Sequence, residues 1–248
     1  MKTFRMVGIA LMAVLMCVGF SSCSEEEISN PNGKKVVKIT YSTENNSNSQ
    51  AIEFNYDNKG RLIEAVVSQS FNNQTKDYSI QYIWGDGVIE TTEGYIYTLS
   101  DGLIQSDGDD YYTYDQSGRL VEYGNDSRWW TKVAWNNDKF VKSYDRSSDV
   151  HTREITWTYG KSCPKGYFPL IEQLIHLTDD AFFVVHPELA GIRTTQLPES
   201  CTIVDYAYGK ETGTETVTFT YEFNNDGYIS KFTNHNRNKT YSYIITWE

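Results

Sequence analysis

The chain has 248 residues, 33 acidic against 22 basic, and a formal charge of −11. That balance excludes the chemistry of nucleic-acid binding, which needs Lys and Arg to neutralise phosphates, and it repels anionic membrane surfaces equally. The length suffices for one substantial core, and the compositional excess is aromatic, with 19 Tyr and 6 Trp.

Lys2 and Arg5 precede an uncharged apolar run, Val7 to Phe20, which ends in Phe20-Ser21-Ser22-Cys23. This is the layout of a lipoprotein signal: positive n-region, apolar h-region, small-residue cleavage box, and a cysteine to be acylated. A run of about 15 residues falls short of the ~20 that cross a bilayer as a helix. Glu25, Glu26 and Glu27 follow at once. Such a run resembles the signal that takes Bacteroidota lipoproteins to the outer face of the outer membrane; the plainer alternative is a soluble tether. The predicted organisation is a signal peptide over 1–22, a lipidated cysteine and acidic flexible tether over 23–35, and one β domain over 36–248. Its membrane contact is the lipid on Cys23.

From residue 36 the chain alternates apolar and polar residues with period two, the mark of strands with two different faces. Val37, Ile39 and Tyr41 share a face, as do Tyr78, Ile80, Tyr82 and Trp84, then Ile155, Trp157 and Tyr159, and finally Tyr241, Tyr243, Ile245 and Trp247. The strand runs read as five to eight residues, shorter than the roughly 9 to 11 that cross a membrane.

Turn signals punctuate these runs in a repeated form. The fullest copies are Phe54-Asn-Tyr-Asp-Asn-Lys-Gly60-Arg-Leu-Ile, Tyr112-Thr-Tyr-Asp-Gln-Ser-Gly118-Arg-Leu-Val and Tyr221-Glu-Phe-Asn-Asn-Asp-Gly227-Tyr-Ile. Shorter ones are Trp84-Gly-Asp-Gly87, Leu99-Ser-Asp-Gly102 and Trp135-Asn-Asn-Asp-Lys-Phe140. An Asp or Asn that caps turn amides, followed by a residue of positive φ, makes each copy one hairpin. Hairpins repeated in this way predict an all-β antiparallel meander, curled or closed like a barrel.

The Tyr-x-Tyr-Asp-x-x-Gly-Arg-Leu copies resemble the tyrosine–aspartate repeats of large bacterial shell proteins. Residues 36 to 248 as a whole resemble a family of Bacteroidota lipoproteins that is a domain of unknown function with a porin-like fold. The resemblance implies a curled or closed sheet with a partly helical insertion, here near 168–200, and it implies no activity.

Within that insertion Leu170, Ile171, Leu174 and Ile175 recur at helical spacing, and Asp179 can cap a second helical turn through Val185 that Pro187 stops. Its expected place is one mouth of the sheet or an edge. Cys163 and Cys201 are the cysteines left to the mature domain, and an oxidising envelope predicts a bridge between them, stabilising by roughly 3 to 4 kcal/mol; two buried thiols are the alternative. No motif for a metal, phosphate or cofactor appears, and His151, His176, His186 and His235 are scattered.

Two aromatic doublets remain. In a strand, one member of Tyr111-Tyr112 and one of Trp129-Trp130 must face away from the core, which makes Tyr111, Trp129 and Trp130 the candidate binding residues. The expected function is non-catalytic, a surface-exposed binding or accessory module for a glycan or an envelope protein. A structural role without ligand and an envelope glycan hydrolase are the alternatives.

Overall fold

The structure, a computed structural model, describes residues 33–43, 48–71, 74–125, 129–137, 139–147, 150–160, 165, 181–192, 196–236 and 239–248. In chain order the strands are β1 (Val36–Thr43), β2 (Asn48–Tyr56), β3 (Leu62–Phe71) and β4 (Gln74–Trp84), followed by β5 (Val88–Thr91), β6 (Ile96–Ser100), β7 (Leu103–Ser106) and β8 (Tyr111–Tyr114). Next come β9 (Leu120–Asn125), β10 (Trp129–Asn136), β11 (Lys139–Ser147) and β12 (Val150–Tyr159). A short helix α1 (Ala181–Val185) and a 3-10 turn (Pro187–Ala190) precede β13 (Pro198–Ala207), β14 (Lys210–Phe223), β15 (Ile229–Asn236) and β16 (Lys239–Trp247). Each strand pairs with its sequence neighbours, and β1 pairs with β16, so the meander closes into a barrel of sixteen antiparallel strands. Closure leaves none of the described strands with a free edge for another chain to extend.

Period two sorts the wall. On β14, Val217 and Phe219 are buried inside while Thr216, Thr218, Thr220 and Glu222 are exposed outside. On β16, Tyr243, Ile245 and Trp247 are buried, alternating with exposed Ile244 and Thr246. Ion pairs cross the outer face, Lys38 with Glu53 at 2.6 Å and Lys231 with Glu222 at 2.8 Å.

Several strands exceed the five to eight residues read from the sequence; β4 has 11 and β14 has 14. The extra residues, Gln74 to Asp77 and Lys210 to Gly213, are exposed. They extend the hydrogen-bonded ladder past the core, where no apolar face marks them.

All turns that join an even strand to the next odd one lie at the end of the barrel where β1 begins, and the repeated turns are among them. There Asp57 Oδ1 accepts from the amides of Lys59 and Arg61 at 2.9 Å each, and Arg61 Nε donates to Oδ2 at 2.7 Å. Asp115 repeats the pattern with Ser117 and Arg119, and Asn224 with Asp226 and Tyr228. Where the turn lacks glycine, Asn137 takes the positive φ, at 55°.

The same end is plugged. Phe182 of α1 stacks on Tyr82 and Tyr97, each with ring centroids 5.5 Å away, and Phe183 packs on Tyr97 and Tyr112. Pro187 opens the 3-10 turn instead of only ending α1. Gly191 then approaches so closely that a Cβ there would lie 2.5 Å from the Gly118 carbonyl. Leu170, Ile171, Leu174, Ile175 and Asp179 lie outside the described residues.

Candidate functional site

Three short outer positions are brought together in register on β8, β9 and β10. Tyr111 pairs with Gly124, and Gly124 pairs on its other side with Trp130. Tyr111 is 61% exposed, whereas its neighbour Tyr112 is buried and stacks on Tyr123. Trp129 is on the inner face, its ring edge-on to Tyr123 at 5.6 Å, so the outer patch is built without it.

Gly124 makes this arrangement possible. Its φ is +134°, and a Cβ would fall 2.5 Å from the Trp129 carbonyl and 2.6 Å from the Trp130 Cα. The two aromatic residues therefore flank a strip of bare backbone. Across β10 and β11, Trp130 pairs with Arg146. The Arg146 guanidinium lies 5.1 Å from the Trp130 ring centroid and the Lys132 ammonium 4.6 Å from it, a cation–π cluster. Lys132 also pairs with Glu122 at 3.4 Å, while Arg146 makes no ion pair among the described residues.

An acidic hairpin tip borders the patch. Asp107 Oδ1 accepts from the Asp110 amide at 2.8 Å, and Tyr112 donates its hydroxyl to Asp107 Oδ2 at 3.0 Å. Burial, reinforced by the charges of Asp107 and Asp109, pushes the Asp110 carboxyl up to about 6. No group of three or more candidate ligands capable of holding a metal ion occurs among the described residues.

Inside the barrel, Asp145 and Asp205 are engaged. Thr131 donates to Asp145 at 2.7 Å and Arg153 to Asp205 at 2.7 Å. His186, which the sequence left among scattered histidines, is 3% exposed and ties the plug to the wall. Leu62 N–H donates to its Nε2 at 3.2 Å, so its Nδ1 faces Glu188 Oε1 at 2.9 Å as the proton-bearing nitrogen. Cys201 is buried, its thiol pushed up to about 12 by burial and by Glu215, and it is a free cysteine among the described residues. Its expected partner Cys163, and Cys23, lie outside the described residues.

The sequence reading also missed a tryptophan that completes each full turn copy. Trp84 Nε1 donates to Leu62 O at 2.7 Å, Trp135 Nε1 to Leu120 O at 2.6 Å, and Trp247 Nε1 to Ile229 O at 2.7 Å. Each closes the strand after the turn. Arg61 and Arg119 then lie over the faces of Trp84 and Trp135.

Together these features define a closed, internally plugged, all-antiparallel β-barrel. Similar barrels are known. A porin-like protein from Bacteroides uniformis matches at a TM-score of 0.65 and 16% identity, over 91% of this chain and 100% of that one. A porin-like protein from Bacteroides vulgatus matches at a TM-score of 0.55 and 11% identity, over 86% of this chain and 98% of that one. At these identities the likeness concerns the fold. No protein-family model and no curated relative matches the chain.

Proposed function

We propose that this chain is a lipid-tethered barrel of the cell envelope whose wall faces water, acting as a non-catalytic binding or accessory module on the outer face of the outer membrane. Composition of the wall supports the water-facing part. A lipid-facing barrel needs an apolar outer band, and each Lys or Arg at mid-membrane depth costs about 2 to 4 kcal/mol. Here Lys38, Lys132 and Lys231 stand on the outer wall in ion pairs, and the aromatic residues of the core, among them Tyr82, Tyr97, Tyr123 and Trp157, point inward.

The tether supports an orientation. Lys35 and Glu248 bond to each other through both backbone groups, at 2.8 and 2.9 Å, at the plugged end. A leash from Cys23 through the acidic run would therefore hold the plugged end toward the membrane and carry the opposite mouth outward, at a reach of roughly 20 Å.

The observation that carries the binding role is the juxtaposition of Tyr111 and Trp130 across Gly124 on the outer face. Clustered outward aromatics mark recognition more often than scattered ones do. The partner on this reading is a glycan or an envelope protein. Binding of the wild-type barrel to a glycan array and to solubilised envelope proteins tests it, beside a Tyr111→Ala/Trp130→Ala variant. Binding by the wild type that the variant loses supports the reading. Retention of all binding by a folded double variant refutes it.

A further inference from the structure

We infer that the outer patch recognises an acidic glycan, a uronic acid linked to neutral sugars, with Tyr111 and Trp130 as platforms and Arg146 as the carboxylate fork; this rests on the binding-module reading above. The spacing comes from the sheet. Tyr111 and Trp130 are two strands apart, roughly 9.5 Å, about the length of two pyranose rings in an extended chain. Sugar rings offer flat C–H faces to aromatic rings, and the bare strip at Gly124 lets a chain lie close to the wall between them.

Charge selects the class. In a chain of net charge −11, an arginine on the outer wall without an ion pair among the described residues is conspicuous. Its guanidinium is held beside Trp130, which pre-orders a planar donor pair that fits a carboxylate. At the other end of the patch, Asp107, Asp109 and Asp110 precede Tyr111 directly. They repel an acidic group there, so the ligand's carboxylate is directed to the Arg146 end. A neutral sugar would leave the arginine without a task, and an acidic peptide would use the arginine without the paired rings.

The test is calorimetric titration of the Cys23→Ala, signal-less barrel with an aldotetraouronic acid, a single glucuronate linked to neutral xyloses, with the methyl ester of the same oligosaccharide, and with oligoglutamate. The acid form is expected to bind at least about tenfold tighter than the ester, the factor associated with a charge-assisted pair. Arg146→Gln should erase that difference while leaving the weak ester binding intact, and Tyr111→Ala should weaken both by about tenfold or more. Should Trp130→Ala fail to fold, Trp130→Tyr, which keeps a platform, is expected to retain most of the affinity. Equal binding of acid and ester, lost in Tyr111→Ala, would overturn the acidic class and leave the binding module standing. Equal binding of oligoglutamate would overturn the glycan assignment, and no binding of the acid form would overturn the proposal altogether.

Discussion

Leu62 and His186, 124 positions apart, are joined by a hydrogen bond from the backbone amide of the first strand after a repeated turn to the imidazole that begins the plug's 3-10 turn. The imidazole lies edge-on to Tyr56 and Trp84 and is 3% exposed. The plug is thus fastened by a polar bond inside an aromatic cage. It does not rest on apolar packing alone.

His186→Leu keeps the volume and leaves the Leu62 amide buried without its acceptor. An unsatisfied buried donor costs about 1 to 3 kcal/mol, so the urea unfolding midpoint should fall with the m-value unchanged. An unaltered midpoint would show that the plug does not need this bond.

The tryptophan caps make a graded series. Replacing Trp247 with Phe removes the donor to Ile229 O in a buried site, whereas Trp84→Phe and Trp135→Phe do so where the bond is only part-buried. Each should cost about 1 kcal/mol or more, with Trp247 the most costly because its orphaned carbonyl has least access to water. Thermal unfolding of the three variants checks the order, and equal losses at all three sites would contradict it.

That series also shows what the sequence could convey. The Asp-x-x-Gly turns were legible because Asp57, Asp115 and Asn224 act on amides two and four residues away. Closure into a curled or closed sheet followed from the uninterrupted run of hairpins. The tryptophans were not tied to the repeat, because they act across a strand pair at separations of 22, 15 and 18 residues, which no fixed period reveals. A Trp at or next to the end of the second strand after each full copy was the available signal. Gly124 was silent as well: its demand comes from the close approach of β10, which depends on register. The exterior place of Tyr111 was readable because Tyr112 takes the position of Phe54 and Tyr221 in the repeated copies, but the choice between Trp129 and Trp130 required knowing which of them faces Tyr123.

Asp110 supplies a pH dependence. Its carboxyl is raised from 3.8 to about 6 in the folded barrel, by burial first and then by Asp107 and Asp109. The protonated form is therefore favoured by folding, and the stability it contributes is complete below pH 3.8 and lost as pH rises through about 6. Asp57 and Asp115 oppose this at lower pH. Burial acts to raise them, but bonds from Arg61 and Arg119 prevail and hold both below their usual range, so their contribution is lost as pH falls beneath that range. Asp110→Asn should flatten the difference in unfolding midpoint between pH 4 and 6 relative to wild type; an identical slope in both proteins would remove Asp110 from the account.

The central claim, a barrel that faces water and reaches the membrane only through its lipid, is tested most directly by one partition measurement on Cys23→Ala protein made without residues 1–22. The barrel should remain monodisperse in detergent-free buffer, stay out of the lipid fraction when mixed with vesicles, and produce no conductance in a planar bilayer. Insertion into vesicles with protease protection of the wall, or stepwise conductance, would contradict it and return the sixteen strands to the membrane.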